Sequence, residues 1–250
     1  MTQWLFDLGN SRLKCARLDG GGKLGAVTAF GHDERGFADA LWRHLPERAD
    51  SACLASVASP ALTLAVLDAL TERFQRISLA RTQVAFADVR IAYARPEKLG
   101  VDRFLAMVAA RARGARAWMV VGVGTAITLD LIDAQGQHRG GRIGPSPALM
   151  RGALHQAAAH LPSAGGAYRE FADDTEDALA SGCEGAALGL VERSLRLATQ
   201  SLGETPALLL HGGGAEALRD GLPASEFAPS LVLEGLSQWA RAGGPTHAAE

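Results

Sequence analysis

Apolar positions at the start of the chain run through Phe6-Asp7-Leu8, break at the small polar stretch Gly9-Asn10-Ser11, and resume from Leu13 to Leu18. The same pattern returns near the middle, where Val121-Gly122-Val123 breaks at Gly124-Thr125-Ala126 and resumes from Ile127 to Ile132. Each copy predicts a strand, a tight glycine-bearing turn and a second strand. Glycine lets backbone N–H groups approach an anion closely, and Ser or Thr adds a hydroxyl donor. A pattern repeated at this spacing predicts two similar α/β halves facing each other across a phosphate, residues 1–115 and 116–250. Aligning Gly9 with Gly124 sets Asp7 opposite Gly122, so only the first copy carries a carboxylate.

Between the hairpins, Phe37 to Leu45 and Leu62 to Phe74 have helical spacing, and Ala52 to Val57 reads as a buried strand. Helical spacing returns from Val101 to Arg113, with Gly114 placed as a C-terminal cap. Beyond the second hairpin, Gly140 to Pro145 reads as a turn, and Pro147 as the first residue of a helix reaching about Leu161. Asp174 reads as the N-cap of a long helix ending near Gly203, with Glu176 and Asp177 in its first turn. Gly182, Gly185 and Gly189 lie on or near one face of it. Glycine inside a helix costs about 1 kcal/mol against alanine, so these three predict close approach of another helix or another subunit. Ala207 to His211 reads as a strand, Gly212-Gly213-Gly214 as the opening of a short helix, and the tail from Arg241 as frayed.

Composition narrows the class. The chain has 250 residues, 48% of them hydrophobic, and a net charge of −2, which fits a globular protein with an ample core and disfavours nucleic acid as a partner. Three scattered cysteines without CxxC spacing indicate neither a disulfide framework nor a zinc site. No apolar run approaches the roughly 18 residues of a membrane span, and the first residues carry no basic and apolar leader. The expectation is a cytoplasmic protein with no membrane partner.

Three stretches carry candidate chemistry. Asp7-Leu8-Gly9-Asn10-Ser11-Arg12-Leu13-Lys14 can place a carboxylate, an amide, a hydroxyl and an ammonium around a triphosphate, with Asp7 holding Mg²⁺ through water and Lys14 neutralising phosphate charge. The ordinary alternative is an Asn-Ser turn between two strands, and no GxxxxGK[ST] is present. Gly100-Val101-Asp102-Arg103 opens a helix with an acid and a base in its first turn. There Asp102 can accept a proton from a substrate hydroxyl and Arg103 can clamp a carboxylate, although Asp at a helix start is also simply good capping. Gly212 to Ala217 fits GxGxxA after a strand, a form shared with dinucleotide sites, but too little chain follows it to build the usual second half.

Taken in order, Asp7-x-Gly9-Asn10-Ser11-x-x-Lys14, Tyr93-x-x-Pro96, Gly100-x-Asp102-Arg103, Gly124-Thr125-Ala126 with Thr128 and Asp130, Gly140-Gly141-x-Ile143-x-Pro145, Asp174 to Ala178 with Ser181-Gly182, and Gly212-Gly213 closely resemble type III pantothenate kinase, the group that includes the Bvg accessory factors. The resemblance covers nearly the whole chain. It implies a duplicated actin-like, hexokinase-like ATPase fold with ribonuclease H-like halves and ATP in the cleft between them. The implied reaction moves the γ-phosphate of ATP to pantothenate, the first step of coenzyme A synthesis. By motif match Asp102 is the general base, and Tyr93, Gly100, Val101, Asp102 and Arg103 hold pantothenate. The turn Asp7, Leu8, Gly9, Asn10, Ser11, Arg12, Leu13 and Lys14, with Thr125, holds ATP. Thr175 matches a pantothenate contact supplied across a homodimer interface.

The resemblance also implies a monovalent cation, K⁺ or NH₄⁺, bound by an Asp in the second hairpin. Here that position is Gly122, and Asp130 lies too far along the partner strand to replace it. Ser146 stands where the family usually has glycine. A second class of reading therefore stays open, a family member with an eroded site that acts as a regulatory or accessory binding protein. Retention of Asp7, Lys14, Asp102, Arg103 and Thr175 favours catalysis.

Overall fold

The computed structural model describes residues 2–32 and 36–243. Two compact units emerge, one formed by Met1–Arg113 with the chain from Ser230 onward, the other by Gly114–Pro229. The first unit thus breaks off at Arg113 and takes up the chain again at Ser230, so the last helix lies in the first unit.

The first unit runs β1 (Gln3–Leu8), β2 (Arg12–Leu18), β3 (Thr28–Gly31), α1 (Phe37–His44), β4 (Ala49–Ser56), α2 (Pro60–Thr71), β5 (Phe74–Leu79), the small ribbon β6 (Ala85–Phe86) and β7 (Val89–Arg90), and α3 (Val101–Ala112). Its sheet has the order β3-β2-β1-β4-β5, with β1 antiparallel to β2 and parallel to β4. The second unit runs β8 (Trp118–Val123), β9 (Ala126–Ile132), β10 (His138–Pro145), α4 (Pro147–Ala157), α5 (Thr175–Leu202), β11 (Ala207–His211) and β12 (Ser225–Phe227). Its sheet order is β10-β9-β8-β11-β12, again with the central strand antiparallel to one neighbour and parallel to the other. The two sheets share one topology, which is the duplication the paired hairpins predict.

Apolar residues alternate or run continuously where these strands must be buried. In the first unit Phe6, Leu8, Leu13, Cys15 and Leu54 meet Leu41, Val66 and Leu70 of the covering helices. In the second, Val121, Val123, Ile127, Leu129 and Leu210 meet Ala187, Leu188 and Val191 of α5. The three cysteines are free and buried, and burial pushes the Cys15 thiol up to about 12.

The last helix, α6 (Leu231–Arg241), belongs to the first unit because it packs on α3. Its apolar face, Leu231, Leu233, Leu236 and Trp239, is buried, and Gly235 lets it approach the α3 backbone closely. Of the expected tail, residues 244–250 lie outside the described residues.

Two local expectations are corrected. Gly140 to Pro145 is not a turn but most of β10, paired with β9 after a bulge between His138 and Gly141. Gly140 takes the positive φ of 103° near that bulge, and β10 is an edge strand, where glycine and proline are tolerated. The helix from Pro147 ends at Ala157, because Ala158 leaves helical geometry at φ −144°, ψ 87°. The long helix follows expectation: Asp174 accepts from the Asp177 N–H at 2.9 Å, and Gly203 closes it at φ 75°. Ser146 is likewise a cap. Its buried Oγ accepts from the Leu149 N–H at 3.2 Å, with Pro147 in the first helical turn.

Candidate active site

Asp7 sits one residue before the end of β1, opposite Lys14 on β2 and beside Ala55 on β4. The turn beyond it is closed by the Gly9 N–H donating to the Arg12 carbonyl at 3.0 Å. Leu8 and Leu13 bury their side chains completely and pin the hairpin to the core, so they can offer a ligand only backbone. Asn10, Ser11 and Arg12 are exposed between them.

The start of α3 belongs to the same unit. Asp102 folds back so that its Oδ1 accepts from the Arg103 N–H at 2.8 Å. A Cβ on Gly100 would come 2.5 Å from that oxygen, so glycine is needed there for the carboxylate to take this position. Arg103 is buried, and its Nη1 points at the Tyr93 hydroxyl at 3.4 Å, at the long end of a hydrogen bond. Val101 is buried against the core. Thus Asp7, Lys14, Tyr93, Gly100, Asp102 and Arg103, distant in sequence, come together in one unit.

Electrostatics ties the two acids. Protein atoms crowd the half-buried Asp7 carboxyl and, with the nearby Asp102 charge adding to the effect, push its pKa up to about 7 against the counter-pull of Lys14. A carboxyl held this way gains from a nearby cation. Among the described residues no group of three or more His, Cys, Asp or Glu could enclose a metal ion. Asp7 with Asp102 in the same unit is a donor set that would suit Mg²⁺, which keeps several waters and takes one or two carboxylates together with phosphates.

The second unit holds the remaining predicted residues. Gly124 and Thr125 form the exposed turn between β8 and β9, with the Gly124 N–H donating to the Ala126 carbonyl at 2.9 Å. Thr175 is exposed at the first position of α5. Gly122 is buried in β8, aligned with Thr128 of β9 on one side and His211 of β11 on the other. Asp130 is committed elsewhere: its carboxylate lies 3.0 Å from His138 Nε2, both side chains buried. Position 122 offers no carboxylate for a K⁺ or NH₄⁺ site, and the His211 ring stands in the space that such a side chain would fill.

His211 escaped the sequence reading. It reads there as the last residue of an apolar strand, and only the parallel register of β11 with β8 brings it beside Gly122. Gly212-Gly213-Gly214 does not open an α-helix. A single 3₁₀ segment, Glu216–Gly221, follows, and Gly212 packs on the Val123 carbonyl at φ 94°, which removes the basis for a dinucleotide fingerprint.

Two sheets of identical topology, each with a glycine-bearing hairpin at its centre, define the actin-like, hexokinase-like ATPase class. Solved structures of that class match along the chain. An archaeal actin homolog is 11% identical with a TM-score of 0.53, over 97% of this chain and 100% of that one. A ROK family glucokinase from Streptomyces griseus, solved with glucose and AMPPNP, is 12% identical with a TM-score of 0.50, over 97% and 100%. A protein from Campylobacter jejuni described as a Baf family transcriptional activator is 19% identical with a TM-score of 0.64, over 96% and 98%. The model of the type III pantothenate kinase family matches residues 4–196. A type III pantothenate kinase from Stenotrophomonas maltophilia is 56% identical over 96% of this chain and 98% of its own, and one from Xanthomonas campestris pv. campestris is 52% identical over the same shares. This chain belongs to the type III pantothenate kinase family.

Proposed function

We propose that the chain phosphorylates pantothenate with ATP, the first step of coenzyme A synthesis. The observation that carries this reading is the pairing of two carboxylates, Asp7 and Asp102, in one unit with the Arg103–Tyr93 pair beside the second of them. Pantothenate has a primary hydroxyl and a carboxylate. In this reading Asp102 takes the hydroxyl proton as the oxygen attacks the γ-phosphorus, the bond to the β-phosphate oxygen breaks, and ADP leaves. Arg103, with Tyr93, holds the pantothenate carboxylate, a bidentate task suited to guanidinium. The exposed turn of Asn10, Ser11 and Arg12, shaped by Gly9, would receive phosphate oxygens beside Lys14, and Thr125 is assigned to ATP by its own motif. Asp7 would hold Mg²⁺ through water, and the ion would neutralise phosphate charge during transfer.

We further propose a homodimer in which Thr175 serves the partner's site. Gly182 and Gly189 have no atom of this chain within 4 Å of a notional Cβ, and Gly185 meets only the Tyr168 ring, at 3.9 Å. Gly182 and Gly189 thus leave open space on that face, which suits the close approach of a second copy. No helix among the described residues is long and apolar enough to cross a membrane. The deciding experiment is ADP release dependent on pantothenate, followed by mass detection of the phosphorylated product. ATP hydrolysis without pantothenate dependence, or none at all with intact ATP binding, would favour the accessory-protein reading instead.

A further inference from the structure

Gly122 is glycine for want of room. Its φ lies outside the left-handed region, so any residue could adopt its backbone. A Cβ there would lie 2.7 Å from His211 Nε2, 2.9 Å from His211 Cε1 and 2.8 Å from Thr128 Oγ1. All three residues share one face of the sheet, since aligned positions on neighbouring strands point the same way. The imidazole leans into the space that a side chain at 122 would fill.

The first unit makes the same arrangement with the contents exchanged. Its central strand puts Asp7 at the equivalent point, and its parallel neighbour offers only the methyl group of Ala55. In the second unit the central strand has no side chain, and the parallel neighbour carries the imidazole. One functional side chain fills each space, from the central strand in one half and from its neighbour in the other. A carboxylate at 122 and the His211 ring therefore compete for one volume.

Resting on the kinase reading, we infer that the His211 ring replaces the carboxylate and monovalent cation together, so that this kinase works without K⁺ or NH₄⁺. The charge balance agrees. A carboxylate and its cation together sum to zero, so losing both leaves the charge unchanged, whereas an added carboxylate with no cation would repel the triphosphate. Imidazole nitrogen is also a poor ligand for K⁺, a hard cation that prefers oxygen, and the ring occupies the volume that a carboxylate partner for either ion would need.

The test compares pantothenate-dependent ADP release in choline, Na⁺, K⁺ and NH₄⁺ chlorides at fixed ionic strength, which holds screening constant. Wild type is expected to vary less than about twofold across the four salts. Gly122→Asp with His211→Ala frees the volume and supplies the acid, and is expected to gain at least about tenfold from K⁺ over choline. Melting temperature in the same salts gives a readout independent of turnover: the double variant should be stabilised selectively by K⁺, and wild type should not. Strong K⁺ activation or K⁺-selective stabilisation of wild type would overturn the inference, as would a double variant indifferent to K⁺ in both measurements. Absence of turnover in every salt would sink the kinase reading alone, and the melting comparison would still decide the cation question.

Discussion

The carbonyl oxygen of Leu105 in α3 lies so close to the α-carbon of Gly235 in α6 that no β-carbon fits between them. The two helices meet backbone to backbone, and α3 carries Asp102 and Arg103 on its first turn. Gly235→Ala is therefore expected to force the helices apart and destabilise the protein by about 1–3 kcal/mol in urea unfolding. Turnover should fall at temperatures where the variant is still folded. Unchanged stability would mean that α6 docks more loosely than this contact demands.

Asp102→Asn keeps the size of the side chain and removes its basicity. Pantothenate phosphorylation is expected to drop by about 10²–10⁴-fold, the usual range for a general base, with ATP affinity nearly unchanged. Single-turnover rates and fluorescent nucleotide titration check the two halves of this expectation. Near wild-type rates would place the base elsewhere.

The raised pKa of Asp7 makes stability depend on pH in a defined direction. The folded protein keeps a proton on Asp7 up to about 7, whereas the unfolded chain releases it near 3.8. Between those values the native state binds more protons, so this residue's contribution to stability falls as pH rises and then levels off above about 7. Asp7→Asn is expected to change stability little near pH 4 and to raise it near pH 8, by at most about 4 kcal/mol. Urea titrations at both pH values test it, and an equal effect at both would show that Asp7 titrates normally.

Much of this was legible from short patterns. The hairpins, α3 and α5 with its Asp174 and Gly203 caps all follow from local rules about glycine, capping and apolar spacing. The gathering of Asp7, Asp102 and Arg103 was legible only through the resemblance to the family that their motif order carries. What sequence could not yield depends on register between distant strands. His211 faces Gly122 only because β11 pairs in parallel with β8, and Asp130 is engaged only because β10 returns to deliver His138. Gly140 to Pro145 misleads because glycine and proline signal a turn locally, while an edge strand accepts both.

The α5 glycines separate a monomer from a dimer. Gly189 has open space around it, so in a monomer Gly189→Ala should add up to about 1 kcal/mol of stability through helix propensity. In a dimer packed on this face, Gly189→Trp is expected to weaken association in sedimentation velocity and lower pantothenate use together. Tight association retained by the Trp variant would place the interface elsewhere.

Because α6 returns to the first unit, the chain leaves that unit after Arg113 and re-enters it at Ser230, making the second unit an insertion. During synthesis the inserted unit has all its strands once Pro229 has left the ribosome, whereas the amino-terminal one, although made first, still lacks a helix that covers α3. The usual order of vectorial folding is thus inverted: the half bearing Asp7 and Asp102 is completed only after the inserted half, once α6 has emerged.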